Sequence, residues 1–296
     1  MNAVEHKRPV PLQGLSQISD RFDHLLLDQW GVLHDGQAVF PDAVQAMAAL
    51  RRAGKRVLVL SNSGKRAAAN ARRLESLGLA RGAYDGLVTS GEACWELLRR
   101  RDRAPFSGLG RRCLLATRGG DRSIVEGLGL CPVEDGRRAD FILMAGLDSA
   151  AADPASWRSR LAEPARRGVR MICANPDLTM IEPEGLRPGP GRIARLYEEL
   201  GGPVTYVGKP HAPIYEVCLA MLGDPDPGRV LAVGDSLDHD IQGGAGMGMP
   251  TVLVTSGVHG PDFAGAGAPA DIVARAERLA GGPRELPDWL IASFRW

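Results

Sequence analysis

The sequence predicts an α/β fold in which one parallel-sheet system carries a second α/β system as an insertion. Short apolar and β-branched runs alternate with segments of helical periodicity along most of the chain, and this alternation is typical of βαβ units around a parallel sheet. Charged or Gly- and Pro-bearing stretches near residues 104 and 190 interrupt the alternation and are interpreted as two hinges. A single large doubly wound sheet is the alternative organisation.

The composition is that of an ordinary globular protein. The chain has 296 residues and a formal net charge of +1, so its charge predicts neither a nucleic-acid nor a membrane partner. No apolar run approaches the ~20 residues of a membrane span, and the segment 1–11 lacks the apolar stretch of a signal peptide. The cysteines have no C-x-x-C spacing, which indicates reduced thiols in a cytoplasmic protein rather than a zinc or disulfide framework.

The individual elements follow from local periodicity. Strands are predicted where short apolar runs end at turn-forming residues, at 25–28, 56–60, 87–90, 112–116, 140–145, 169–174, 204–207, 229–233 and 251–254. Helices are predicted at 12–18, 40–52, 65–77, 92–101, 123–128, 156–167, 193–200, 213–222, part of 241–247, and 271–280. Pro164 is expected to bend its helix or end it early. The stretch 183–191 is rich in Pro and Gly and is predicted to be a loop.

Four of the predicted strands end in polar residues. In a parallel sheet the carboxyl ends of the strands meet at one edge, where open α/β sheets bind ligands, so these residues are expected to converge. Each residue alone has an ordinary explanation as a helix cap, a turn residue or a solvated lysine. The combination is more specific than any single member; the residues are Asp28, Ser61 with Asn62, Lys209, and Asp235 with Asp238 and Asp240.

The chemistry that these residue types support together is phosphoryl transfer. Asp28 is a candidate carboxylate nucleophile that would form an aspartyl-phosphate. Ser61 offers a hydroxyl group and a loop with backbone N–H groups, and Lys209 offers a positive charge to the transferring phosphoryl group. Asp235 and Asp28 would together hold Mg²⁺, which prefers oxygen ligands. Asp240 is a candidate to orient Lys209 or to complete the outer shell of the site.

The same residues stand within five segments that resemble the motifs of a known family. The segments are Asp28–Leu33 (DQWGVL), Ser61–Arg66 (SNSGKR), Ala174–Asp177 (ANPD), Gly208–Pro210 (GKP) and Gly234–Ile241 (GDSLDHDI). With these motifs the sequence resembles the haloacid dehalogenase (HAD) superfamily, class IIA, the branch with NagD-like and phosphoglycolate- or pyridoxal-phosphatase-like members. The resemblance covers nearly the whole chain.

The resemblance implies an architecture and a set of roles. The architecture is a Rossmann-like core, residues 1–103 and 198–296, with a C2-type α/β cap inserted at 104–197. The resemblance also implies dependence on Mg²⁺, a phosphate-binding group, a cap loop that helps to choose the substrate, and a homodimer. The implied metal ligands are the side chains of Asp28 and Asp235 and the backbone carbonyl of Trp30; the phosphate-binding residues are Ser61, Asn62 and Lys209; the cap-loop residues are Asn175 and Asp177.

Trp30 departs from the family pattern. Phosphatases of the superfamily usually carry a second Asp two residues after the nucleophile, and that Asp protonates the leaving group and then activates water. An indole carries only an N–H donor and cannot exchange a proton near neutral pH. The protein therefore acts on phosphates with good leaving groups, uses another acid such as His34, Asp35 or Asp177, or binds phosphate with little turnover.

The predicted function is that of a Mg²⁺-dependent, phosphatase-like HAD hydrolase. It acts on a small phosphorylated metabolite through an aspartyl-phosphate on Asp28. The alternative is a phosphate-binding or regulatory protein in which Trp30 has removed turnover. Carbon–halogen hydrolysis is disfavoured, because the dehalogenases of the superfamily work without metal and lack the full acidic motif that Asp235 and Asp240 complete here.

Overall fold

The computed structural model describes residues 8–148, 153–182, 185–282 and 285–296. Its strands are β1 Val10–Leu12, β2 His24–Asp28, β3 Arg56–Ser61, β4 Gly86–Thr89, β5 Arg112–Ala116, β6 Cys131–Val133, β7 Phe141–Met144, β8 Arg170–Cys173, β9 Thr179–Glu182, β10 Gly185–Pro188, β11 Val204–Tyr206, β12 Val230–Gly234, β13 Thr251–Val254 and β14 Trp289–Ile291. Its α-helices are α1 Pro41–Arg52, α2 Ala67–Ser76, α3 Ser90–Arg100, α4 Pro154–Arg166, α5 Pro190–Glu199, α6 Ala212–Leu222, α7 Gln242–Gly246, α8 Gly260–Phe263 and α9 Pro269–Leu279.

The first of two compact units contains a seven-stranded sheet. The unit comprises the described residues within Met1–Leu60, Ala71–Val88 and Tyr215–Trp296. The strand order is β1-β14-β13-β12-β2-β3-β4, and β2 lies between β3 and β12 in parallel with both. The three leucines of β2 and every residue of β12 are buried, as expected for central strands that are covered on both faces. The carboxyl end of β2 is Asp28.

The second unit contains a separate parallel sheet. It comprises the described residues within Ser61–Asn70 and Thr89–Ile214. Five strands run in the order β11-β8-β7-β5-β6, and β9 and β10 form an antiparallel hairpin. Apolar side chains of β5, β7, β8, α4 and α5 form its core, with Trp157 and Tyr197 among the largest.

The order of the strands along the chain confirms that one α/β system is inserted into the other. Strands β1 to β4 belong to the seven-stranded sheet, β5 to β8 and β11 to the five-stranded sheet, and β12 to β14 to the seven-stranded sheet again. The alternative of one large sheet is wrong for the described residues. The bounds predicted for the insertion, 104–197, remain a prediction, while the second compact unit extends to Ile214.

The presence of two separate sheets makes one prediction about the site wrong, namely the sheet that carries Lys209. Lys209 was expected to follow a strand of the same sheet as Asp28. It follows β11, which pairs in parallel with β8 in the five-stranded sheet. The apolar pattern of a strand shows that it is buried, but it does not specify which neighbour it pairs with.

Two local predictions are also wrong, and of the two outcomes predicted for Pro164 the early end of its helix is wrong. The stretch 183–191 includes strand β10 and the start of α5 rather than being a loop throughout, and residues 183 and 184 lie outside the described residues. The helix predicted at 123–128 is a single 3₁₀ turn, Ser123–Val125, since Gly127 and Gly129 follow with positive φ. Helix α4 continues past Pro164 to Arg166, and the Pro164 side chain is buried beside Gly136, which has no side chain to obstruct it.

None of the described helices is long and apolar enough to cross a membrane.

Candidate active site

Three carboxylates form a cluster at the carboxyl edge of the seven-stranded sheet. Asp28 ends β2, and Asp235 and Asp240 follow the neighbouring strand β12. One oxygen of each side chain lies within 4.8 Å of one oxygen of the other two. Asp235 is 4% exposed and Asp240 is 5% exposed. Carboxylates at this separation repel one another, the more so because two of the three are buried, so the cluster is suited to hold a cation with hard oxygen ligands.

The position of the Asp235 carboxylate is fixed by backbone groups. The backbone N–H of Val258 donates a hydrogen bond of 2.7 Å to Asp235 Oδ2. Gly31 and Gly257 pack against the same carboxylate so closely that a Cβ atom at either position would overlap it. Two glycines and one N–H group therefore hold Asp235 in a single orientation.

Replacing Gly31 by Ala tests this packing. Gly31 has φ +77, and its Cβ would overlap the Asp235 carboxylate, so Gly31→Ala combines backbone strain with displacement of that side chain. Gly54→Ala is the matched control, because Gly54 has φ +69 and open space around its Cβ position. We expect Gly31→Ala to lower the free energy of unfolding in urea by at least ~1 kcal/mol more than Gly54→Ala. Equal losses of unfolding free energy in the two variants would contradict the close packing of Gly31 against Asp235.

Asp240 lies in a single π-helical turn, Leu237–Ile241, that follows β12. Its Oδ2 atom accepts a hydrogen bond of 3.2 Å from the backbone N–H of Ser236, and its own N–H donates to the Ser236 carbonyl at 3.0 Å. Gly234 has no side chain, and this leaves the space that the Asp240 carboxylate occupies. Asp240 is therefore held beside Asp28 and Asp235 by its own turn.

A second group of predicted site residues meets in the other unit, around the side chain of Asn62. The Asn62 Nδ2 group donates to Asp177 Oδ1 at 2.7 Å and to the backbone carbonyl of Lys209 at 3.0 Å. Asn62 Oδ1 accepts from the backbone N–H of Lys209 at 2.7 Å and from the hydroxyl of Ser90 at 3.2 Å. These bonds use all the hydrogen-bonding capacity of the carboxamide, so it orients Lys209 and has none left for a ligand.

The remaining predicted residues of this unit support the same group. Asn175 Oδ1 accepts from the backbone N–H of Asp177 at 2.8 Å, which fixes the turn that carries Asp177. Ser61 ends β3, is half-buried, and accepts a hydrogen bond of 3.2 Å from the backbone N–H of Ser63 at its Oγ atom. Lys209 itself is 4% exposed.

The Asn62 arrangement predicts a large loss of stability for an isosteric change. Asn62→Asp removes both N–H donors and brings a second carboxylate within hydrogen-bonding distance of Asp177. We expect it to lower the free energy of unfolding by ~1–3 kcal/mol in chemical denaturation. Asn70→Asp is the control, because Asn70 makes longer hydrogen bonds of 3.2 and 3.4 Å on a nearby helix and should lose much less. A smaller loss of unfolding free energy for Asn62→Asp than for Asn70→Asp would contradict the role of the Asn62 hydrogen bonds in stability.

The loop after Asp28 is closed by its own backbone and by His34. The N–H groups of Leu33 and His34 donate to the carbonyl of Gln29, and the N–H of Gly31 donates to the carbonyl of His34 at 2.9 Å. The N–H of Gly36 donates to His34 Nδ1 at 3.0 Å. The loop leaves the Trp30 side chain 41% exposed.

The groups named as alternative acids in this loop hold no transferable proton near neutral pH. Burial lowers the pKa of His34 from 6.5 to about 4, and the positive charge of Arg73 acts in the same direction. Backbone hydrogen bonds from Ala38 and Gln37 lower the pKa of the Asp35 carboxyl. His34 is therefore neutral with Nδ1 as an acceptor, and Asp35 is ionised.

His34 makes stability depend on pH. Its folded-state pKa lies below the unfolded value, so the unfolded chain binds a proton more readily as the pH falls from 6.5 to 4. We expect His34 to account for the loss of up to ~3 kcal/mol of unfolding free energy across that range. Urea unfolding of the wild type and of His34→Gln at several pH values measures this contribution. The variant should show a shallower pH dependence, and parallel curves would contradict the prediction.

The parallel sheet brings a cluster of carboxylates to its carboxyl edge, which is the usual place of a ligand site in α/β proteins. Comparison with known sequences identifies the class. Residues 25–131 match the family of haloacid dehalogenase-like hydrolases, and residues 206–279 match a HAD-hydrolase-like family. Chronophin from Bos taurus is 31% identical over 254 residues, which are 82% of this chain and 84% of chronophin.

Solved structures agree with this result. A haloacid dehalogenase-like hydrolase from Brucella suis superposes with a TM-score of 0.78 at 28% identity, covering 96% of this chain and 99% of that one. A glycerol phosphate phosphatase from Mycobacterium tuberculosis, solved in complex with magnesium, gives a TM-score of 0.70 at 28% identity over 92% of this chain and 76% of that one. The chain belongs to the haloacid dehalogenase-like hydrolases, class IIA, and is a hydrolase of the phosphatase type.

Sequence reasoning missed the residues that hold the predicted ones in place. Gly31, Gly257 and the N–H of Val258 surround Asp235, and Ser90 completes the bonding of Asn62. Gly31 stands inside a recognised motif and offers a weak signal. The other three carry no local signal, because a close approach between segments distant in sequence leaves no periodicity.

Proposed function

We propose that this chain is a Mg²⁺-dependent phosphatase of small phosphorylated metabolites that works through an aspartyl-phosphate on Asp28. The observation that carries the proposal is the cluster of Asp28, Asp235 and Asp240, with reactive oxygens within 4.8 Å of one another. A related glycerol phosphate phosphatase has been solved with magnesium, which supports the choice of ion.

In the proposed reaction an oxygen of Asp28 attacks phosphorus, and the ester oxygen leaves with the electron pair of the P–O bond. Water then attacks the aspartyl-phosphate, which releases inorganic phosphate and restores the carboxylate. Asp28 and Asp235, with the backbone carbonyl of Trp30, would hold Mg²⁺. The ion would offset the repulsion between the carboxylate and the phosphate.

The other predicted residues have supporting roles in the proposal. Lys209 neutralises charge on the phosphoryl group. Its backbone carbonyl accepts from Asn62 Nδ2 and its backbone N–H donates to Asn62 Oδ1, and these two hydrogen bonds keep the lysine in place. The Ser61 hydroxyl binds a phosphoryl oxygen. Asn175 and Asp177 form part of the surface that chooses the substrate.

The proposal includes the predicted organisation of the chain. It has a core of residues 1–103 and 198–296 and an inserted cap of 104–197, and it forms a homodimer. Light scattering on the purified protein measures the mass of the assembly, and the mass of one chain would contradict the dimer.

A phosphate-binding or regulatory protein is the second candidate. Its support is that Trp30 supplies no acid and that His34 is neutral while Asp35 is ionised. Under this candidate the site binds phosphate tightly but turns over slowly.

A panel of phosphate esters separates the two candidates. Release of inorganic phosphate is measured with Mg²⁺ and with Mg²⁺ removed by a chelator, and mass spectrometry of acid-quenched protein detects phosphate on the peptide that contains Asp28. The proposal expects metal-dependent release and phosphate on that peptide. Tight binding of inorganic phosphate or vanadate, with no release from any ester, would favour the second candidate.

A further inference from the structure

Two exposed apolar residues, Trp30 and Val258, belong to the two backbone segments that contact the Asp235 carboxylate. Trp30 is 41% exposed and Val258 is 51% exposed. The backbone of Gly31, the residue after Trp30, packs against Asp235, and the N–H of Val258 itself donates to Asp235 Oδ2. Trp30 is therefore the neighbour of a residue that contacts Asp235, and Val258 contacts Asp235 through its own backbone.

The orientation of Trp30 is set by the loop that follows Asp28. Its indole Nε1 lies 3.3 Å from the position that a Cβ of Gly36 would take, so the N–H edge of the ring rests beside Gly36. Gly36 is in turn tied to His34 Nδ1 by its N–H group. With that edge against the loop, the rest of the indole contributes carbon surface to the exposed area.

The same loop offers no proton to a departing oxygen. An indole N–H is not acidic enough to protonate an alkoxide, and His34 Nδ1 is already an acceptor for the Gly36 N–H. The Asp35 Oδ1 atom accepts hydrogen bonds of 2.8 and 2.9 Å from Gln37 and Ala38 within its own turn. The loop after the nucleophile thus combines the exposed apolar surface of Trp30 with side chains that offer no proton to the leaving group.

We propose that the natural substrates are aryl phosphate monoesters, whose aromatic leaving group packs on Trp30 and Val258 and departs as an aryloxide without receiving a proton. This inference rests on the proposed function, because it requires Asp28 as the nucleophile.

The chemistry balances without an acid. The P–O bond to the aromatic ring breaks, its electron pair stays on the aryl oxygen, and the new bond joins phosphorus to an oxygen of Asp28. Water then cleaves the aspartyl-phosphate and releases its proton to the solvent. An alkoxide leaving group is far more basic, and without a general acid its departure is slower by ~10²–10⁴-fold.

A series of esters measures the dependence on the leaving group. The Mg²⁺-loaded wild type is assayed with 4-nitrophenyl phosphate, phenyl phosphate and glycerol phosphate. We expect kcat/KM to fall by ~10²-fold or more from the first ester to the last. Equal kcat/KM values for aryl and alkyl esters would overturn the inference and leave the proposed function standing. No phosphate release and no phosphorylated peptide with any ester would instead overturn the proposed function.

Two variants test the apolar surface itself. Trp30→Ala and Val258→Ser should each raise KM for phenyl phosphate by up to roughly tenfold with a smaller change in KM for glycerol phosphate. Trp30→Phe keeps an aromatic face and should restore most of the affinity for the aryl ester. Val44→Ser is the matched control, since Val44 is 45% exposed on helix α1 and should leave both KM values unchanged. Equal shifts of KM for the aryl and alkyl esters would overturn the assignment of this surface.

Discussion

Replacing Asp28 by Asn should lower the rate of phosphate release by at least ~10³-fold while the fold is kept. Asn has nearly the same shape, and the buried leucines of strand β2 are unchanged in the variant. The amide is a poor nucleophile and cannot form an aspartyl-phosphate, so the covalent step is lost. Steady-state phosphate release and mass spectrometry of the Asp28 peptide measure the two consequences separately.

The control for Asp28→Asn is a carboxylate at the other end of the same strand. Asp23 directly precedes β2 and forms an ion pair of 2.8 Å with Arg229 on the surface. Asp23→Asn should leave kcat unchanged, because exposed ion pairs contribute little to stability and none to the chemistry. Asp28→Ala removes the side-chain oxygens altogether and should be as inactive as Asp28→Asn. Activity retained by both Asp28 variants would exclude this residue as the nucleophile.

Replacing Trp30 by Asp should raise kcat/KM for alkyl phosphates by ~10²–10⁴-fold. The change supplies a carboxyl group two residues after the proposed nucleophile, where it can protonate a basic leaving oxygen. Position 30 is 41% exposed, so a charged side chain is tolerated without a large loss of stability. Aryl esters gain little, because their leaving group needs no proton, and they also lose contact with the indole.

The isosteric variant Trp30→Asn separates proton transfer from the removal of bulk. Asn has the size of Asp but exchanges no proton near neutral pH, so it should not accelerate hydrolysis of glycerol phosphate. A gain that is equal in Trp30→Asp and Trp30→Asn would mean that the indole only obstructs larger substrates. No gain in Trp30→Asp would show that the missing acid does not limit turnover.

The agreement between sequence and structure is uneven within the site. Asp28, Asp235 and Asp240 come together as expected, because β2 and β12 are central parallel strands whose apolar runs are unmistakable. For Asn62, the role stays a prediction, and the structure adds the side-chain bonds that the sequence did not indicate. Its motif indicates a phosphate-binding residue, yet its carboxamide is taken up by Lys209, Asp177 and Ser90. A motif identifies which residue is present, whereas its bonding partners depend on how distant segments pack.

Local periodicity and turn residues predict the α/β class, the insertion of one parallel system into the other, and the strand ends that carry Asp28 and Asp235. Packing between distant segments places β11 in the five-stranded sheet, adds the three-residue strands β1 and β14 to the other sheet, and leaves His34 buried and neutral. It also joins Asn62 to Lys209 across 147 residues of chain. The free energies of burial and hydrogen bonding that fix these features arise between segments far apart in sequence, where no local pattern records them.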